Sequence, residues 1–167
     1  LTGPAFSRGW WLVHQPPADW PERLAAADAI YISHNHSDHL SLPTLKILAS
    51  KNPDVPIFVP QYERDSCKRL VESTGLRNVT IVPFNIWTKL GNDGRFMILQ
   101  DDTGRDDSGI LIEYRGHRVL DAVDCSNING VNPNTVVIVV RKIGLNRAAP
   151  ALNSASRKSS PAALRLL

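Results

Sequence analysis

The sequence predicts an α/β fold, on three observations. Through the first half, short apolar runs alternate with helical patterns in the order β-α-β-α-β-α. Past residue 78 the helical patterns stop, and short strands follow one another, separated by turn residues. The third observation is local. Where an early apolar run ends, the stretch Tyr31-Ile-Ser-His-Asn-His-Ser-Asp-His-Leu40 gathers three of the chain's five histidines and an aspartate: His34, His36, Asp38 and His39.

The elements follow from local signals. A strand is expected around residues 10–13, ended by Pro16-Pro17. Asp19 has the position of an N-cap, and Pro21 suits the first turn of a helix running to Ala27. Residues 29–33 form a buried strand leading to the histidines. Ser41 caps a second helix to about residue 50, stopped by Asn52-Pro53. Residues 55–59 make a strand closed by Pro60, and residues 64–73 a third helix with Gly75 just past its end. Strands are expected at 79–82, 87–90, 95–99, 109–114, 119–123 and 135–140. Gly91-Asn92-Asp93-Gly94, Thr103-Gly104 and Arg115-Gly116 separate some of them.

Composition narrows the class. With 43% hydrophobic and 21% charged residues, the 167-residue chain reads as one globular domain. No apolar run approaches the roughly 20 residues that cross a bilayer, and no membrane partner is expected. Residues 141–167 carry six basic residues and no acidic ones, so the first 140 residues are net negative although the chain totals +3. The basicity belongs to the tail, and no nucleic-acid partner is expected. The expected division is a metal-binding domain over 1–140 and a basic, low-complexity tail over 141–167, disordered or weakly helical near 161–167. Cys67 and Cys125 lie outside any CxxC pattern, which argues against a cysteine metal site and for a reducing, cytoplasmic setting. The opening at Leu1 rather than Met predicts a piece of a longer protein, incomplete at both ends.

Packing does not readily explain four clustered ligand types at a strand end. His34 and His36 can point to one side and share a metal ion. Asp38 and His39 fall on the far side of the turn, where they can serve a second ion or orient a water. Asp38 is thus also a candidate catalytic group. Asp124, ending a later strand, is the natural shared carboxylate for two ions. His14 and His117 are isolated and read as structural, Cys67 as a small buried residue, and Cys125 as at most a neighbour of Asp124.

HxHxDH after a strand resembles the first metal motif of the metallo-β-lactamase superfamily. The stretches 1–12, 30–41, 82–87, 95–99 and 113–125 narrow the likeness to the CMP-N-acetylneuraminate hydroxylase (monooxygenase) family, over about residues 1–130. The resemblance implies an αββα sandwich. It implies hydroxylation of the N-acetyl methyl of the nucleotide sugar CMP-sialic acid by molecular oxygen. It also implies iron (zinc as the alternative, one or two ions), a Rieske [2Fe–2S] domain elsewhere in the full-length protein, and electrons from a cytochrome b5-type donor. By motif, His34 and His36 hold one metal, Asp38 and His39 the second, and Asp124 bridges. The chain departs from the pattern in having no Rieske ligand set. It also lacks the superfamily's later histidines: the stretch 101–108 offers only Asp106 or Asp107 as a substitute, and no histidine follows His117. Two alternatives remain open. One is a metal-dependent hydrolase of the lactonase or phosphodiesterase type; the other is a degenerate, non-catalytic domain.

Overall fold

The computed structural model describes residues 15–128, together with the backbone of two short strands at 138–139 and 164–166. Three helices precede a run of strands. They are α1 (Trp20–Ala25), α2 (Leu42–Lys51) and α3 (Ser66–Glu72). Between and beside them lie β1 (Ala29–Tyr31), β2 (Ile57–Pro60) and β3 (Val79–Val82). β4 (Thr88–Leu90), β5 (Gly94–Gln100), β6 (Ser108–Tyr114) and β7 (His117–Asp121) follow, then β8 (Ile138–Val139) and β9 (Leu164–Leu166).

Two sheets result. The first is parallel, in the order β3-β2-β1-β9, and the second runs β4-β5-β6-β7-β8, antiparallel from β4 to β7. Strand alternation sorts the side chains into layers. From β1 and β2, Ile30, Ile57 and Val59 face the helices and join Leu45, Leu48 and Val71. Tyr31 and Phe58 point the other way and meet Phe96, Ile98 and Ile110 of the second sheet. Phe58 and Phe96 stack with ring centroids 4.8 Å apart. On the outer face of the second sheet, Leu99, Leu111 and Leu120 form a smaller cluster with Trp87, Met97 and Ile128. The described residues therefore make the first three layers, α, β and β, of a metallo-β-lactamase-type sandwich.

Local signals account for most boundaries. Ser41 caps α2 as expected, its Oγ accepting the Thr44 N–H at 3.5 Å and the Thr44 hydroxyl at 3.0 Å. Asp19 occupies the N-cap of α1 but makes no capping bond, because its carboxylate accepts from Arg23 Nε at 2.8 Å. α1 and α3 are shorter than the sequence pattern suggested. β7 begins at His117 rather than Val119, since Arg115 and Gly116 alone turn the hairpin, both at positive φ (49° and 81°). His117 is thus an exposed strand residue opposite Tyr114, remote from the histidine cluster. The tail differs from expectation at one point. Leu164–Leu166 is a strand parallel to β1 rather than weak helix, β1 offering an edge on which an apolar segment can complete hydrogen bonds. The rest of the tail, the early strand at 10–13, His14, Trp10 and Trp11 lie outside the described residues.

Candidate metal centre

β1 ends at Tyr31, yet the chain continues straight into the core through Ile32, Ser33 and His34, all at most 1% exposed. The Ile32 N–H still donates to the Phe58 carbonyl at 3.1 Å, and beyond it side chains replace the ladder. The Ser33 carbonyl accepts from the Tyr62 hydroxyl at 2.7 Å and from Ser108 Oγ at 2.8 Å. Ser108 Oγ has one proton and gives it to that carbonyl, so the Tyr31 hydroxyl is the donor in its 2.5 Å bond to Ser108. Burial pushes the Tyr31 and Tyr62 phenols far above their usual range, which keeps them neutral donors. The Tyr62 and Ser108 hydroxyls, the latter braced by Tyr31, thus fix the backbone just before His34.

The loop then closes on itself. His39 and Leu40 both donate their N–H to the His36 carbonyl, at 3.0 and 2.7 Å. Leu40 plugs into the helix-side core, anchoring the far end of the motif. The turn stacks the imidazoles. The His34 ring lies 4.5 Å from the His36 ring and 4.3 Å from the His39 ring.

Two carboxylates arrive from the second sheet. Asp107, directly before β6, is 4% exposed and places Oδ1 3.6 Å from His34 Nε2. Asp124 follows β7 on a tight turn. There the Val123 N–H donates to Asp121 Oδ1 at 3.0 Å, and the Cys125 N–H to the Ala122 carbonyl at 2.9 Å. Val123, a β-branched residue, is held at φ 50° in this turn, a conformation such residues rarely adopt. It brings Asp124 Oδ2 to 3.0 Å from His39 Nε2. Gly109 makes the approach possible: a Cβ there would lie 2.9 Å from the Asp121 carbonyl.

Two ligand groups emerge, each with its atoms within 4.8 Å of one another: His34, His36 and Asp107, and His34, His39 and Asp124. His34 is the member common to both. Asp124 was expected to bridge, and the structure places it in the second group alone. Asp38 lies outside both groups, with Oδ2 3.4 Å from His39 Nε2. Asp107, named in the sequence only as a substitute beside Asp106, is the carboxylate drawn in. Both line a cleft of about 360 Å³ with His36, Arg105 and Asp124.

The donor set suits a metal ion. Burial, reinforced by repulsion from His39, pulls the His34 imidazole below its usual range, so it is neutral near pH 7, as a ligand must be. Its Nδ1 lies 3.0 Å from Ser33 Oγ. With Nδ1–H donating there, Nε2 turns a lone pair toward the Asp107 carboxylate, an arrangement that calls for a cation between them. Among the described residues, His34 Nε2 is the buried side-chain nitrogen or oxygen without a hydrogen-bond partner. Cys125 belongs to neither ligand group, and burial pushes its thiol up to about 12. Cys67 is a buried core thiol, as expected.

Comparison with known proteins places the chain in a family. Residues 2–134 match the Beta-lactamase superfamily domain, and the chain belongs to that family. More particularly, it is similar to cytidine monophosphate-N-acetylneuraminic acid hydroxylase. It is 54% identical to the Mus musculus and Sus scrofa enzymes over 132 residues, 78% of this chain. The same identity and coverage hold for the Homo sapiens relative named inactive cytidine monophosphate-N-acetylneuraminic acid hydroxylase. The chain spans 23%, 30% and 26% of the length of the mouse, pig and human relatives. Among solved structures, isothiocyanate hydrolase from Delia radicum gut bacteria aligns with 61% of this chain and 42% of that one, at 16% identity and a TM-score of 0.48. No helix among the described residues is long and apolar enough to cross a membrane.

Proposed function

We propose that residues 1–140 are the metal-binding catalytic domain of a CMP-N-acetylneuraminate hydroxylase-type monooxygenase. The observation that carries the reading is the 54% identity to such hydroxylases over 132 residues, joined to a buried, partnerless His34 nitrogen facing a carboxylate. His34, His36 and Asp107 would hold one ion, and His39 and Asp124, sharing His34 or aided by Asp38, a second. Bound iron would supply the oxygen-activating redox chemistry; zinc in the same ligands would supply only a Lewis acid. The substrate is a CMP-sialic acid. One oxygen atom of O2 enters a C–H bond of the N-acetyl methyl, and the other leaves as water with a pair of protons and a pair of electrons.

This chain's residues bind and orient. The cleft lined by His36, Asp107 and Asp124 would leave one side of the ligand set open to substrate, while the segment from Ile32 to His34 is buried behind it. Asp38, on the exposed side of the loop, would hold or move a proton at its carboxylate. The electrons would come from a Rieske [2Fe–2S] domain in the same full-length protein, fed by a cytochrome b5-type donor, in the cytoplasm. The test is metal analysis of the purified chain followed by turnover of the full-length protein with NADH, cytochrome b5 and its reductase. One or two irons per chain and a hydroxylated product support the reading. Hydrolysis of an ester or lactone with zinc alone, and no oxygen consumption, would replace it with the hydrolase alternative.

A further inference from the structure

Asp101 is a buried carboxylate that the proposed ligand set leaves unused, its side chain 0% exposed. It follows β5, and donors from Thr103, Arg105 and Ser126 surround it. Oδ1 accepts the Thr103 N–H at 2.8 Å, and Oδ2 accepts the Ser126 N–H at 2.9 Å and Arg105 Nη2 at 3.4 Å. The first bond stays within the loop that carries Asp107. The second crosses to the segment that carries Asp124. Backbone bonds run alongside: Asp101 N–H to the Asp107 carbonyl at 3.1 Å, and Asp102 N–H to the Asn127 carbonyl at 3.2 Å. Arg105 reinforces both sides, donating to Ser126 Oγ and setting Nε 3.3 Å from Asp107 Oδ2.

We infer that Asp101 is a positioning residue, a clasp that ties the 101–107 loop to the 122–126 turn and so sets Asp107 against Asp124. The inference rests on the metal reading above. A carboxylate is the group this place needs. It accepts on both oxygens, from the Thr103 and Ser126 N–H groups, the Arg105 guanidinium and the Thr103 hydroxyl. Burial works to raise its pKa, but the donors outweigh it and hold the group at about 2. An amide would turn an NH2 toward one of those N–H groups and release one side of the clasp.

The test is a cobalt(II) titration of the full, metal-stripped chain, read by visible absorption. It compares the parent with Asp101→Asn, Asp101→Ser and Leu48→Ala. Leu48 is a fully buried helix-side core residue and serves as a stability control away from the metal groups. Asp101→Ser keeps a short acceptor for the Thr103 N–H and frees Ser126. The expected result is a rise of about tenfold in the cobalt dissociation constant for both Asp101 variants, with altered ligand-field bands. Leu48→Ala is expected to lower the thermal midpoint at least as far and to leave the constant unchanged. Parental affinity and spectrum in a folded Asp101 variant would overturn the clasp while leaving the metal reading standing. So would an equal loss in Leu48→Ala, or failure of both Asp101 variants to fold, since Asp101 would then be purely structural. A parent that binds no cobalt overturns the metal reading, and the clasp with it.

Discussion

The two ends of the second sheet use the same strands and treat charge in opposite ways. At the hairpin end, charges are matched in solvent. Glu113 accepts from Arg95 at 2.8 Å and Arg118 at 2.7 Å, and Arg115 lies 3.1 Å from Asp93. At the other end, Asp101, Asp106, Asp107 and Asp124 gather around a single guanidinium, Arg105, beside a neutral buried imidazole. The first arrangement keeps a sheet end soluble and contributes little stability, since exposed pairs are worth about 0–1 kcal/mol. The second is unfavourable unless something cationic offsets it. Charge imbalance that the fold itself enforces, through Gly109, Val123 and the hydroxyls on Ser33, is what separates a binding site from an ordinary strand end.

That contrast can be broken from either side. The largest effect is expected from His34→Ala, which removes the ligand shared by both groups. Metal affinity should fall by at least about 100-fold, the upper end of what even losing an outer partner costs. The metal-free protein should lose stability to the cavity the buried ring leaves, partly offset because the orphan nitrogen disappears with it. Calorimetric metal titration and thermal melts read the two quantities separately. Next, Asp107→Asn and Asp124→Asn should each weaken binding by about tenfold or more, while Glu113→Gln at the hairpin end leaves it unchanged. Equal effects at the two ends would remove the distinction.

Smaller effects concern support. Gly109→Ala should destabilise the fold by about 1–3 kcal/mol through the clash with the Asp121 carbonyl, and weaken metal binding with it. Tyr62→Phe, which removes one of the two donors to the Ser33 carbonyl, should cost about 1 kcal/mol in denaturant unfolding.

Acid should act on two groups with the same sign. Asp101 sits at about 2 in the fold against an ordinary 3.8. Its contribution is complete above the ordinary value and fades as pH falls toward the folded one. The stability gap between parent and Asp101→Asn should therefore shrink over that window. His34 is depressed below 6.5, so the unfolded chain binds a proton that the fold does not, and metal-free stability should decline as pH drops below that value. A flat stability profile between neutral pH and 5 would contradict the His34 assignment.

Much of this was readable in the residues, and the unreadable part has a common cause. His34, His36, Asp38 and His39 lie within six positions, so local density exposed them. The turn at Arg115-Gly116 and the cap at Ser41 are likewise local. Asp107 was one of two adjacent candidates, because only strand pairing decides which of them faces His34: Gln100 opposite Ser108 puts Asp107 at the sheet end beside the histidines. Asp101, Tyr62 and Ser108 gave no signal. Their partners are Ser126, Ser33 and Tyr31, 25 to 77 residues away, and such contacts exist only once the sheets are stacked.

The most direct measurement is the metal content and affinity of the purified, metal-stripped chain, parent against His34→Ala, by elemental analysis and calorimetric titration with iron(II) and zinc(II). Tight binding of one or two ions per parent chain, abolished in a folded His34→Ala, is the predicted result. No bound metal in the parent, or undiminished binding without the His34 imidazole, would contradict the central claim.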